Sequence, residues 1–133
     1  MEYAIGVTLA VLVGLFASMT GFDRERSFYP VVLIVIAIYY LLFAAMTKST
    51  ETVIAETFPA LMFVAAATLG FLKTPWIVVV GLALHGVFDF IHHAVISNPG
   101  VPAWWPGFCL AYDVTAAACL AMLIFVRRPA QTV

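Results

Sequence analysis

The sequence predicts an all-α membrane protein, a bundle of five transmembrane helices, and three observations support this fold class. Of the 133 residues, 65% are hydrophobic and only 10% are charged, and the mean hydropathy is +1.10. A soluble domain of this size must cover itself with polar side chains, so the composition indicates an integral membrane protein. The apolar residues form five runs of roughly 20 residues, the length that crosses the hydrocarbon layer. Short links between the runs favour antiparallel neighbours in one compact bundle.

The predicted spans fill a single domain, 1–133. They lie at about 3–21, 28–47, 52–72, 75–97 and 104–126. Pro75 opens the fourth span, because proline is tolerated in the first turn of a helix. The first span is expected to be retained, not cleaved as a signal peptide, since Glu2 stands where such a peptide carries positive charge.

The basic residues predict that the N-terminus lies outside and the C-terminus inside. The side of the bundle that holds the C-terminus carries Arg24, Arg26, Lys73, Arg127 and Arg128, whereas the other side carries Lys48. Cytoplasmic loops carry the excess of Lys and Arg. The net charge of −1 and the absence of a basic patch exclude nucleic acid as a partner.

The fourth span contains a stripe of ionisable residues in "GLALHGVFDFIHHAVISNPG". At about 100° per residue, His85, Asp89, His92 and His93 fall within an arc of about 100° on one helix face. Ionisable groups inside a membrane face the bundle interior or a water-filled cavity. The stripe is therefore predicted to point into the bundle.

Two acidic residues of neighbouring spans are predicted to meet this stripe. Asp113 in the fifth span lies at a depth similar to that of Asp89, counted at about 1.5 Å per residue. Glu56, in the first turns of the third span, lies near the level of His92 and His93 by the same count, although it equally suits the positive end of its own helix. An unpaired buried carboxylate is costly, so these acids require a proton, a cation or strong donors.

Three interpretations of this cluster stay open. In the first, the site binds a divalent metal ion (zinc, iron or manganese), with ligands drawn from His85, Asp89, His92, His93, Asp113 and Glu56. In the second, the same groups form a structural polar network between helices. In the third, they form a His/Asp relay for protons.

The last two spans carry a resemblance. The run "HGVFDFIHH" followed by "VPAWWPGFCLAYD", within 81–113, resembles an uncharacterised family of short bacterial integral membrane proteins with an HxxxDxxHH pattern. The resemblance implies a multi-pass protein of the bacterial inner membrane. The chemistry is also similar to that of the ceramidase and adiponectin-receptor superfamily of intramembrane metal hydrolases. Those proteins have seven spans, with ligands spread over separate helices, which this chain does not reproduce.

The preferred functional hypothesis is a metal-dependent membrane hydrolase that acts on a lipid or small amphiphile, with Asp113 or Asp89 as general base. The alternatives are an accessory subunit of a membrane complex and a small proton-linked transporter. A homodimer would cover apolar faces in any of these cases.

Overall fold

The computed structural model describes residues 1–127, and the chain is helical over most of this range. Its helices are α1 (Glu2–Thr20), α2 (Phe28–Met46), α3 (Thr50–Leu72), α4 (Pro75–Val95) and α5 (Trp105–Val126), with a short 3₁₀ turn at Phe22–Arg24. All five α-helices are long and apolar enough to cross a membrane, which confirms the predicted fold class. The side on which each terminus lies stays a prediction, and Arg128 lies outside the described residues.

Local signals set the helix ends. The side chain of Ser49 accepts a hydrogen bond from the Thr52 amide, so α3 begins at Thr50, slightly before the predicted start. Ile96 adopts extended angles (φ −129°, ψ 127°), so α4 ends at Val95 and the chain turns into the loop that carries Asn98. Gly21 ends α1 in the left-handed conformation (φ 86°), which glycine adopts without steric cost.

The fourth helix occupies the centre of the bundle. It packs against α5, α3 and α2, while α1 packs against α5 on the outside. The buried face of α4 repeats at helical spacing and consists of Val78, Gly81, Leu82, His85, Gly86, Asp89 and His92. This face therefore changes from apolar to polar along its length.

The interior of the bundle accordingly has an apolar half, toward Arg127, and a polar half, toward Trp104. The half toward Arg127 holds the apolar core, formed by Tyr29, Leu33, Ile36, Ala67, Val78, Leu82, Ala116, Ala117 and Leu120. The half toward Trp104 holds the buried polar side chains Glu56, His85, Asp89, His92, Asn98 and Asp113. Apolar packing in the first half can stabilise the bundle, so the ionisable residues of the second half are available for a functional site.

Close packing of α1 on α5 depends on Gly6. A Cβ atom at this position would lie 2.3 Å from the backbone oxygen of Phe108, which cannot move aside as a flexible side chain would. We expect Gly6→Ala to lower the free energy of unfolding by about 1–3 kcal/mol, the usual cost of overpacking. Gly14→Ala on the same helix is the matched control, because its Cβ would meet Cys119 Sγ at an ordinary 3.6 Å. Thermal unfolding in detergent measures both, and equal melting temperatures would contradict the close contact.

At the end of the bundle that holds Arg127, this exposed side chain forms an ion pair with the buried carboxylate of Asp23. Arg127 donates hydrogen bonds of 2.8 Å to both the backbone oxygen and Oδ1 of Asp23, and Ser18 donates to Asp23 Oδ2. Burial raises the pKa of the Asp23 carboxyl, but these hydrogen bonds and the charges of Arg127 and Arg24 outweigh it and hold the pKa below its usual value.

This lowered pKa predicts a pH dependence of stability. The pair should contribute about 1 kcal/mol above the usual carboxyl pKa of about 4 and lose that contribution as the pH falls through the lower folded value. We expect the melting temperature of Asp23→Asn to lie below that of the wild type at neutral pH, with a gap that narrows on acidification. Glu25→Gln, at an exposed neighbouring position, should leave a constant small difference. A gap that widened on acidification would contradict the assignment.

Candidate metal centre

Three buried side chains from two helices meet in the polar half. His85 Nδ1 lies 2.6 Å from Asp113 Oδ2 and 3.3 Å from Asp89 Oδ2. One ligand atom from each of the three residues lies within 4.8 Å of the others. Each side chain is at most 1% exposed. The structure thus brings together His85 and Asp89, which the sequence placed on one face of α4, and Asp113, which it placed at the depth of Asp89 on α5.

Helix geometry explains how the chain assembles this group. His85 and Asp89 are four residues apart on α4 and therefore share one face. Asp113 comes from α5, which packs along α4. His85 lies about 15 Å from either end of α4, counted at about 1.5 Å per residue, which is the middle of a transmembrane helix.

Tyr40 of α2 connects this group to its surroundings. Its hydroxyl donates a 2.6 Å hydrogen bond to Asp89 Oδ1. Its ring stacks on the imidazole of His92, with centroids 4.1 Å apart and planes 17° from parallel. The tyrosine therefore fixes the orientation of Asp89 and separates it from His92.

A second polar group lies on the other side of Tyr40. Glu56 Oε1 is 2.7 Å from His92 Nε2 and accepts a 2.8 Å hydrogen bond from Asn98 Nδ2. Asn98 Nδ2 also donates to the backbone oxygen of Tyr40 at 3.2 Å. This network joins α2, α3, α4 and the loop after α4.

Several buried polar atoms in residues 1–127 have no hydrogen-bond partner. They are Glu56 Oε2, Asp89 Oδ2, His92 Nδ1, Trp105 Nε1 and Asp113 Oδ1. A buried acceptor without a partner costs about 1–3 kcal/mol, and more when it is charged. Two of these oxygens belong to the His85 group, so the group has lone pairs available for a further ligand.

The donor set and the distances can be compared with a metal site. Ligand atoms about 2.0–2.1 Å from a tetrahedral ion are about 3.3 Å from each other. The distance of 3.3 Å between His85 Nδ1 and Asp89 Oδ2 has this value, whereas the 2.6 Å to Asp113 Oδ2 is that of a hydrogen bond. The His85 and Asp89 atoms therefore have the spacing of two metal ligands, whereas ligation by Asp113 would require the proton between it and His85 Nδ1 to leave and Asp113 Oδ2 to move away from that nitrogen by less than 1 Å.

The remaining predicted ligands lie apart from this group. Glu56 and His92 pair with each other in the second group. The side chain of His93 is exposed on the outside of α4, although its ring lies 5.7 Å from that of His92. His85, Asp89 and Asp113, called here the His85 group, could hold an ion without them. Ligation by Glu56, His92 or His93 therefore stays a prediction.

Asn98 is a site residue that the sequence analysis missed. It is buried, holds Glu56, and accepts a hydrogen bond from the Gly100 amide through its own Oδ1. The available signal was that it is the only asparagine in the chain and lies soon after the last histidine of the polar stripe. The sequence places Tyr40 in the same half of the bundle as the polar stripe, together with Tyr39, Cys109 and Tyr112, but does not distinguish among these four residues.

The chain was compared with protein families, curated proteins and solved structures. No family model, no curated protein and no solved structure matches this chain.

Proposed function

We propose that this protein is a metal-dependent membrane enzyme, a hydrolase whose substrate is a lipid or small amphiphile, and that it lies in the bacterial inner membrane. The observation that carries the proposal is the convergence of His85, Asp89 and Asp113 in the middle of the bundle with unpartnered carboxylate oxygens. Perturbed or costly ionisable groups gathered inside a membrane mark functional sites.

The charge of the group favours a cation. No Lys or Arg side chain in residues 1–127 pairs with Asp89 or Asp113. Two ionised carboxylates would each cost about 3 kcal/mol at this depth even on a lenient scale. A divalent ion bound by both carboxylates and a neutral imidazole gives a site with no net charge.

The ligand types narrow the choice of ion. One imidazole nitrogen with two carboxylates suits zinc, iron or manganese, whereas copper(I) and iron–sulfur clusters prefer thiolates. Three protein ligands leave a coordination position open, as in catalytic metal sites. A divalent ion held here would supply Lewis-acid catalysis and lower the pKa of a bound water.

The two carboxylates have different surroundings, which suggests different roles. Asp89 is fixed by the hydroxyl of Tyr40 and suits the role of a rigid ligand. Asp113 is held through Oδ2 by His85, while its Oδ1 is free of hydrogen bonds. With Oδ2 as its ligand atom, Asp113 is also the better candidate for the general base, since its free Oδ1 can accept a proton from water.

A proton relay is the second candidate, and one observation favours it. The 2.6 Å contact between His85 and Asp113 is a hydrogen bond, and Tyr40 lies between this group and the pair of Glu56 and His92. The polar side chains thus extend from near the Trp104 end to the middle of the bundle. A proton-linked transporter or an accessory subunit would use the same residues without a metal ion.

Metal analysis of the purified protein separates the two candidates. We expect inductively coupled plasma mass spectrometry to find close to one zinc, iron or manganese ion per chain in wild-type protein prepared without chelators. Asp113→Asn keeps the size of the side chain but removes its charge, and it should lose most of the metal while remaining folded. His93→Ala is the comparison variant and should keep the metal, because among the predicted ligands only His93 has a side chain exposed on the outside of α4. A folded wild-type protein without metal, or full metal content in Asp113→Asn, would contradict the proposal.

A further inference from the structure

A pocket lies at the end of the bundle that holds Arg127. It is lined by the link between α1 and α2 and by residues of α2, α4 and α5, and its volume is about 380 Å³. This volume lies within the roughly 300–1,000 Å³ that is usual for small-molecule sites. The buried side chains of Val78 and Leu120 form an apolar wall, and Arg24, Arg26 and Arg127 also line the pocket. We call it the arginine pocket.

The three arginines keep most of their hydrogen-bond donors unused. A guanidinium group has five N–H donors in a planar fork that matches the oxygens of a phosphate. Arg26 uses one donor, on the backbone oxygen of Lys73 at 3.0 Å, and Arg127 uses two, both on Asp23. Within residues 1–127 the side chain of Arg24 forms neither a hydrogen bond nor an ion pair. The pocket therefore has donors available for an anion.

The charge of the pocket favours the same kind of ligand. Besides the three arginines, its lining includes two acids, Glu25 and Asp23, and Asp23 is already paired with Arg127. Three positive and two negative charges give the lining a net charge of +1. Pro75, the first residue of α4, borders the pocket, and no side chain caps this helix end. The positive end of the α4 dipole therefore adds to the attraction for an anion.

The position of the pocket along the bundle indicates which anion it meets. The helix α1 ends at Thr20, α2 begins at Phe28 and α5 ends at Val126. Arg24 and Arg26, in the link between α1 and α2, therefore lie where the hydrocarbon layer gives way to the headgroups. Basic pockets between transmembrane helices bind the headgroups of anionic lipids at this level. An apolar wall next to the arginines suits a lipid better than a free phosphate ion, which has no apolar part.

We infer that the arginine pocket binds the phosphate of an anionic phospholipid. Arg24 and Arg26 donate hydrogen bonds to its oxygens, and Val78 and Leu120 contact the glycerol end of the lipid. Arg127 contributes charge while it stays bonded to Asp23. The pocket lies at the end of the bundle opposite the candidate metal centre, so the inference is independent of the proposed function.

Removing one charge inside the pocket and one outside it tests the inference. Arg24→Gln changes the lining, whereas Lys73→Gln removes the same charge from an exposed residue near the same end that is not part of the lining. Delipidated protein in a nonionic detergent is titrated with phosphatidylglycerol and followed by native mass spectrometry. The wild type and Lys73→Gln should each bind one lipid with the same affinity. Arg24→Gln should bind about fivefold more weakly, which corresponds to about 1 kcal/mol for one basic side chain.

Two outcomes of this titration would overturn the inference. In one, Lys73→Gln weakens binding as much as Arg24→Gln, so that the lipid responds only to the general charge of this end. In the other, the wild type binds no phosphatidylglycerol. Arg24 and Lys73 are both exposed, so both variants should keep the melting temperature of the wild type.

A second comparison, on the wild type alone, identifies the part of the lipid that is recognised. Diacylglycerol with the same chains lacks the phosphate and should bind at least tenfold more weakly than phosphatidylglycerol. Glycerol phosphate supplies the phosphate without the chains and should not displace the lipid at equal concentration. Equal binding of diacylglycerol would overturn the role of the arginines. Full displacement by glycerol phosphate would overturn the assignment to a lipid and leave a site for free phosphate compounds.

Discussion

Replacing the whole central polar group with apolar side chains is expected to leave the bundle at least as stable as the wild type. The variant combines Tyr40→Phe, His85→Leu, Asp89→Val and Asp113→Val. Replacing a complete buried ionic network with apolar residues is often neutral or stabilising by about 1–4 kcal/mol. Removing two acids from the middle of a membrane helix adds to this effect. Metal binding should be lost entirely.

Asp113→Val alone is the informative comparison. It removes the 2.6 Å partner of His85 Nδ1 and leaves that nitrogen with Asp89, 3.3 Å away, so we expect it to lower the free energy of unfolding by about 1–3 kcal/mol. Unfolding by denaturant in mixed micelles measures both variants. If the combined variant is less stable than Asp113→Val, the group is a structural network, and its retention needs no functional explanation.

The second large effect is expected at Glu56. Its Oε1 is the acceptor for both His92 and Asn98, so Glu56→Ala leaves two buried groups without this partner. We expect a loss of about 3 kcal/mol or more in the free energy of unfolding, since each abandoned buried group costs about 1–3 kcal/mol. Thermal unfolding and protease sensitivity of the loop after α4 are the measurements.

Glu51→Ala is the matched control for this prediction. Glu51 lies in the first turn of the same helix but is exposed, so its loss should change stability by no more than about 0.5 kcal/mol. Glu56→Gln, which keeps an oxygen acceptor, should fall between the two alanine variants. If Glu56→Ala and Glu51→Ala have the same melting temperature, the second polar group contributes nothing to stability.

Simple counting predicted much of this architecture. The number of spanning helices follows from the lengths of the apolar runs, because a bilayer fixes how many residues each helix needs. The pairing of His85 with Asp89 follows from their spacing of four residues, and Asp113 follows from equal depth on an antiparallel neighbour. These relations depend on helix geometry alone.

Tertiary packing decided the rest. His92 and His93 differ by about 100° around α4, and only the positions of Glu56 on α3 and Tyr40 on α2 make His92 the buried one. The sequence predicted one continuous stripe, but the ring of Tyr40 divides the polar residues into two groups. Asn98 lies in a loop, where no periodicity indicates the direction of a side chain.

The packing of α1 and α4 against α5 has a consequence for biosynthesis. The ribosome synthesises α5 after the other four helices. Until then, α1 and α4 lack the helix against which both of them pack in the folded protein. During this interval His85 and Asp89 are already inserted, while Asp113 has not been made. Long-range contacts of this kind form late and slow assembly. The nascent chain therefore exposes a half-built acidic pocket to lipid, and a membrane insertase or quality-control protease would meet the protein in that state.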